Sequence, residues 1–254
     1  MYAYDDSFQV LVTRSASAAH RIIAAVRDII IPASVLDVGC ARATWLRAWQ
    51  DSGRADCIGV DGPYIEPSAL QIDWSRFVVA DLGERLDLGR EFDLVECLEV
   101  AEHLPAARAD SLVADLVRHA TVVLFSAATP GQGGENHVNE QPCSYWRSRF
   151  ASHDYVAIDC LRPLLQRLPD IPHWYRYNLV LYVRRDALER LPRFVRQFEI
   201  PSGQELPDFS PLSYRLRNMV IRSLPFSLRN SLARWNARRH STSHTQPIQA
   251  VARE

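Results

Sequence analysis

The chain has 254 residues, of which 47% are hydrophobic and 23% charged, and its formal net charge is -1. That profile belongs to a globular protein large enough to bury a core without disulfide or metal staples, and it speaks against a globally basic nucleic-acid binder. All 29 basic residues are arginine, which removes Schiff-base lysine, lysine general-base and P-loop chemistry.

The polar, acidic start, MYAYDDSFQVLVTR, lacks the basic-then-apolar order of a signal peptide, and no apolar run is long enough for a membrane span. The five cysteines (Cys40, Cys57, Cys97, Cys143 and Cys160) are odd in number and form no CxxC. Reduced thiols and a cytoplasmic protein are therefore expected. Residues 15–30 carry apolar positions at helical spacing behind serine N-caps. SVLDVGC (34–40) reads as a strand, ATWLRAWQDSG (43–53) as a helix, and DCIGVDG (56–62), RFVVADL (76–82) and FDLVECLEV (92–100) as three more strands. A helix over 109–120, a strand over 120–128, a helix over 144–154 and two closing strands, YVAIDC and NLVLYVRR, complete the pattern. Strands alternating with helices predict an α/β, doubly wound, mostly parallel sheet that binds ligands at the carboxyl ends of its strands.

Chemistry is expected at those ends. The first strand runs into Asp37, Gly39 and Cys40, where a glycine turn allows close approach and a following helix N-terminus favours an anionic group. The second ends in Asp61-Gly62, where an acid can accept from a ribose diol. The third ends in Asp81-Leu82, where a carboxylate beside an apolar residue could flank an adenine. Each acid alone could be a helix cap or turn former; three at successive strand ends favour a cofactor site.

These segments, in this order, resemble the class I S-adenosylmethionine-dependent methyltransferases over about residues 30–185. VLDVGC is similar to their glycine-rich first motif, CIGVDG to the acidic second strand, FVVADL to the third motif, and FDLVECLEVAEHLP to the fourth strand and its loop. SAATPGQGGENHVNEQPCSYW and WYRYNLVLYVRR resemble a bacterial subgroup of the type 11/23 superfamily. The resemblance implies a Rossmann-like, seven-stranded sheet with an antiparallel last strand, and S-adenosylmethionine held by Asp37, Gly39, Cys40, Asp61, Gly62, Asp81, Leu82, Leu98 and Glu99. It implies methyl transfer to a small-molecule acceptor, a hydroxyl of a sugar or secondary metabolite. Alanines at 41 and 43 replace the motif's usual further glycines. They leave room for a scaffold that has lost the cofactor, while a nicotinamide oxidoreductase lacks its GxGxxG here.

Within the loop PGQGGENHVNEQP, His137 is the candidate general base, with Asn139 and Glu140 to orient the acceptor or fix its tautomer; the blander reading has His137 only pinning the loop. Glu99 and His103 are expected at the mouth of the site, near the sulfonium and acceptor; the alternative is that Glu102 and His103 cap or solvate the loop before Pro105. The ligand spacing is too loose for a metal to be expected. Trp146, Trp174, Tyr175 and Tyr177 read first as core. The predicted organisation is a methyltransferase domain at 1–185, a helical, arginine-rich extension at 186–240 and a disordered tail at 241–254. In the extension, Arg215, Arg217, Arg222, Arg229, Arg234, Arg238 and Arg239 face no acid over 212–240. Two short helices broken at Pro225 and packed on the domain are preferred there over a membrane-surface face.

Overall fold

The computed structural model describes residues 6–53 and 56–242, with side chains from 16 to 236. Seven strands form one sheet: β1 (Ser34–Val38), β2 (Asp56–Asp61), β3 (Phe77–Val79), β4 (Leu94–Leu98), β5 (Val122–Ser126), β6 (Tyr155–Ile158) and β7 (Val180–Arg184). Their order is β3-β2-β1-β4-β5-β7-β6, parallel throughout except that β7 runs against β5 and β6. The order reverses between β1 and β4, and a crevice opens at such a point beyond the carboxyl ends.

The helices are α1 (Asp6–Arg27), α2 (Thr44–Asp51), α3 (Ala109–His119), α4 (Cys143–Ala151), α5 (Arg162–Leu165), α6 (His173–Asn178), α7 (Arg193–Arg196), α8 (Leu212–Ser223) and α9 (Phe226–Thr242). Period-two alternation sorts the strands between two cores. Val35, Leu94 and Leu98 join α1, α2 and α6 on one face, while Leu36, Val38, Val95 and Cys97 join α3 and α4 on the other. Trp146 and Tyr175 are buried, as core aromatics are. Trp146 packs on Phe125, and Tyr175 takes a hydrogen bond from Trp45 Nε1 at 3.3 Å.

Several elements depart from the sequence pattern. β3 spans only Phe77–Val79, because Ala80 still donates to Asp61 O but Asp81 then turns the chain by accepting from Gly83 N. α1 begins at Asp6, nine residues before the expected 15. Past Arg185 the chain does not leave the domain: Ala187, Leu191 and Val195 are buried in the core, and Ile200 N donates to Ala157 O on β6. α8 and α9 do break at Pro225, which leaves no N–H to continue α8. Their packing is reversed from expectation. Tyr214, Asn218, Ile221, Arg229 and Asn230 lie towards the domain, while Leu216, Met219, Leu228 and Leu232 are exposed. The tail over 241–254 falls, from residue 243 on, outside the described residues.

The register sets Asp37 beside Glu96 on adjacent strands, both on the face that Trp49 covers. Glu96 is fully buried and accepts from Trp49 Nε1 at 3.0 Å. Burial pushes its carboxyl up to about 8, against which the Trp49 bond acts, and burial followed by the Glu96 charge raises Asp37 as well. The folded chain thus keeps a proton on Glu96 that the unfolded chain, with an ordinary value of 4.5, gives up. Its stabilising contribution is complete below that value and is lost as pH rises through about 8. Glu96→Gln keeps an acceptor for Trp49 without the charge. It is expected to raise the melting temperature at pH 9 by an amount worth roughly 1–3 kcal/mol, with the difference closing by pH 5. Thermal melts across pH read this directly, and parallel curves for the two proteins would contradict it.

Candidate active site

The loop between β1 and α2 is built from left-handed residues. Gly39 has φ 83, Ala41 φ 46 and Ala43 φ 60. Ala41 and Ala43 thus adopt the conformation that glycine takes in the resembled motif, at a steric cost the surrounding structure must hold. It is held by hydrogen bonds: Gly39 N and Cys40 N donate to Val60 O, and Ala41 N donates to Asp61 Oδ2 at 2.7 Å. Cys40 turns its thiol inward, to where a side chain on Gly59 would stand, so only its backbone lines the loop. The alanines therefore do not divert the turn, and the scaffold reading loses its main support.

Asp61 is 3% exposed and ends β2. Its Oδ1 accepts from Gly62 N at 2.7 Å and from the Tyr64 hydroxyl. The Tyr64 ring lies over Gly62, where any β-carbon would strike it. Burial raises the Asp61 carboxyl, and the bonds from Tyr64, Gly62 and Ala41 pull against that. The carboxylate assigned to a ribose diol is thus already holding a hydroxyl. That is the chemistry the sugar of S-adenosylmethionine requires, and the residues fit the cofactor at this point. Asp81 is exposed and accepts from Gly83 N in its own turn. Leu82 and Leu98 are buried at 8% and 9%.

At the end of β4 the chain turns sharply through Glu99, whose φ is 56. Its Oε2 accepts from Gln132 Nε2 at 2.8 Å and its Oε1 from Asn178 Nδ2 at 3.4 Å, while Asn178 also donates to Gln132 Oε1 at 2.8 Å. Burial still leaves the Glu99 carboxyl raised. This triangle ties β4, the 130–142 loop and α6 together. Sequence reading missed Gln132 and Asn178, because a lone amide in a loop or at a helix end carries no pattern.

Beyond Glu99, the structure brings Glu102, His103, His137 and Glu140 together. His137 Nδ1 lies 3.2 Å from Glu140 Oε1. Glu140 also accepts from Gly131 N and Gly133 N, both at 2.8 Å, and Arg229 stands 3.5 Å away. Burial would raise Glu140, but the hydrogen bonds from His137, Gly131 and Gly133 hold it below the usual carboxylate range. An ionised Glu140 can only accept, so the Nδ1 proton faces it and the Nε2 lone pair of His137 is left for chemistry. Gly134 is required beneath this ring: a β-carbon there would lie 2.0 Å from His137 Nε2.

His137 Nε2 is 4.0 Å from Glu102 Oε1. Glu102 is fully buried, and neither carboxylate oxygen makes a hydrogen bond of good geometry, although the backbone of Ala128 and of Glu102 itself and the Glu99 carboxyl lie close enough to act on it. Burial, and then the Glu99 charge, push its carboxyl well up. The His103 ring meets that of His137 edge-on, with centroids 4.9 Å apart at 88°. The residue opens to solvent on one side, but the enclosed part of the ring and the neighbouring His137 push it down to about 4. His103 is therefore neutral near pH 7 and a weak base. Glu102, His103 and His137 offer ligand atoms within 4.8 Å of one another, so a divalent cation is sterically accommodated where the sequence suggested none. Asn139 takes no part: it is buried, and its side chain binds Ala101 O and Gln141 while its N–H joins Glu102 O. Its expected role of orienting the acceptor gives way to fastening the loop to the turn after β4.

The sheet order, the acid-bearing strand ends and the crevice between β1 and β4 define a Rossmann-like methyltransferase architecture. A family model described as a methyltransferase domain matches residues 13–191, and the chain belongs to that family of S-adenosylmethionine-dependent enzymes. Among solved structures, the sugar N-methyltransferase of a Streptoalloteichus species is similar at 19% identity and a TM-score of 0.51, covering 68% of this chain and 88% of that one. The magnesium protoporphyrin IX methyltransferase of Synechocystis, solved with bound S-adenosylmethionine, is similar at 16% identity and a TM-score of 0.49, covering 72% and 86%. No curated protein sequence matches the chain. No helix among the described residues is long and apolar enough to cross a membrane.

Proposed function

We propose that the protein transfers a methyl group from S-adenosylmethionine to a hydroxyl of a small-molecule acceptor, a sugar or a secondary metabolite, with His137 as general base. When bound, S-adenosylmethionine supplies a methyl on a sulfonium, an electrophile that needs no further activation. Asp61 would hold the ribose by exchanging the Tyr64 hydroxyl for a sugar hydroxyl, and the backbone of Gly39 to Ala41 would line the approach. The acceptor oxygen would bond to the methyl carbon as the carbon–sulfur bond breaks and S-adenosylhomocysteine leaves, and the acceptor's proton would pass to His137 Nε2. Glu140 stabilises the imidazolium that results through the Nδ1 bond. The observation that carries this reading is the His137–Glu140 pair, which leaves Nε2 unclaimed at the carboxyl ends of β4 and β5. The Streptoalloteichus protein is a sugar N-methyltransferase, which supports a sugar as the acceptor but not the choice of oxygen over nitrogen.

A second reading has one specific observation behind it. Glu102, His103 and His137 could together bind a divalent cation, which would satisfy the two Glu102 oxygens that make no well-formed hydrogen bond. The test is turnover with a panel of sugar and phenolic acceptors, with and without EDTA. Methyl transfer that survives EDTA is the result expected of His137 as base. Loss on chelation with recovery on adding Mn²⁺ or Zn²⁺ would make His137 a metal ligand. Failure to bind S-adenosylhomocysteine in calorimetry would overturn the enzyme reading altogether.

A further inference from the structure

We infer that α8 and α9 form a docking face for an anionic lipid bilayer. The observation is that both helices are inside out. On α8, Leu212, Leu216, Met219 and Val220 recur at helical spacing on the solvent side, with Leu216 53% and Met219 68% exposed. On α9, Leu228 and Leu232 do the same, at 51% and 42% exposed, although α9 also runs along α1. Apart from Ile221, which lies over Gly133, the residues that fasten the pair to the 131–136 loop are polar. Arg217 donates to Gln132 O at 2.9 Å, Asn230 Oδ1 accepts from Asn136 N at 2.9 Å, and Arg234 pairs with Glu135 at 2.9 Å. Asn218 O fills the space that a side chain on Gly131 would need. A surface helix in water ordinarily turns its apolar stripe to the core, and an apolar patch of this extent facing outward marks an interaction surface.

Charge decides what covers it. Between 212 and 242 there is no aspartate or glutamate, and the seven ionised side chains there are all arginine. A second copy of the same face would bring the exposed Arg215 and Arg222 against their counterparts, which disfavours self-association through it. A bilayer with anionic headgroups meets both features: leucine and methionine enter the boundary of the acyl region, while the exposed Arg222, and Arg215 beside Asp208 at 3.6 Å, stay with the phosphates. Because the inner faces of these helices rest on residues 131–136, docking would seat the loop that carries His137 next to the headgroups.

Flotation with vesicles of phosphatidylcholine, with and without phosphatidylglycerol, tests the inference. The full chain is expected to bind the anionic vesicles about tenfold or more better than the neutral ones, and to lose most of that difference at about 0.5 M salt. Leu216→Ser, Met219→Ser and Leu232→Ser in one chain should reduce binding about tenfold or more without removing charge. Arg222→Gln alone should reduce it a few-fold. Unchanged affinity for S-adenosylhomocysteine in each variant shows that the domain is intact. Absence of binding to anionic vesicles at low salt overturns the proposal. So does full binding by the serine variant, which would describe a surface that attracts any polyanion. A dimer in sedimentation that the serine variant dissolves would assign the face to a second copy instead.

Discussion

Replacing His137 by alanine is expected to lower turnover by about 10²- to 10⁴-fold, the usual contribution of a positioned general base. The side chain is held at Nδ1 by a carboxylate that itself accepts two backbone N–H groups, so its ring is oriented and its other nitrogen is available. Its neighbour His103 is a poorer base, being pushed down to about 4. kcat and kcat/KM should fall together, because the lost interaction belongs to the transition state. S-adenosylhomocysteine affinity should change little, since the proposed ribose contacts lie at the ends of the first two strands. Glu140→Gln should give a smaller fall: a glutamine can still accept from Nδ1, but it no longer offsets the imidazolium charge. A raised acceptor KM with normal kcat would demote His137 to a binding residue. Full activity in variants at both His137 and His103 would mean that the enzyme works by proximity on an acceptor that is already nucleophilic.

Removing the Asp61 carboxylate has the second-largest expected effect. Asp61→Ala should weaken S-adenosylhomocysteine binding by about 1–3 kcal/mol, the cost of deleting charge-assisted hydrogen bonds. The same change releases Ala41 N and Gly62 N, so some loss of thermal stability should accompany it. Tyr64→Phe separates the two effects. It removes only the hydroxyl that competes for Oδ1 and leaves both backbone bonds in place, so it should tighten S-adenosylhomocysteine binding a few-fold. Calorimetry on the three proteins reads both signs. Equal affinity in the alanine variant would remove Asp61 from the ribose, and no gain in the phenylalanine variant would mean that Tyr64 does not stand in the way.

The sequence by itself determined the fold. Continuous apolar strands such as VVLFS, alternating with helices of 3.6-residue period, admit few arrangements other than a mostly parallel sheet with helices on both faces. It also placed Asp61 at a strand end and His137 in the loop after β5, because an acid closing the apolar strand CIGVD and a histidine in a glycine-rich loop are local signals. Only the tertiary structure decided what these residues meet. Tyr64 reaches Asp61 from three residues on, and Glu140 rather than Asn139 reaches His137, because the loop doubles back over Gly134. Glu96 lies in the middle of an apolar strand and shows its raised carboxyl only once Asp37 and Trp49 are packed around it. The same limit governs α8 and α9. Their periodicity identifies an amphipathic pair, yet it is silent on which face turns inward. That choice rests on Gln132, Glu135 and Asn136, roughly a hundred residues earlier in the chain, which offer polar partners to Arg217, Arg234 and Asn230 and so leave the apolar faces outside.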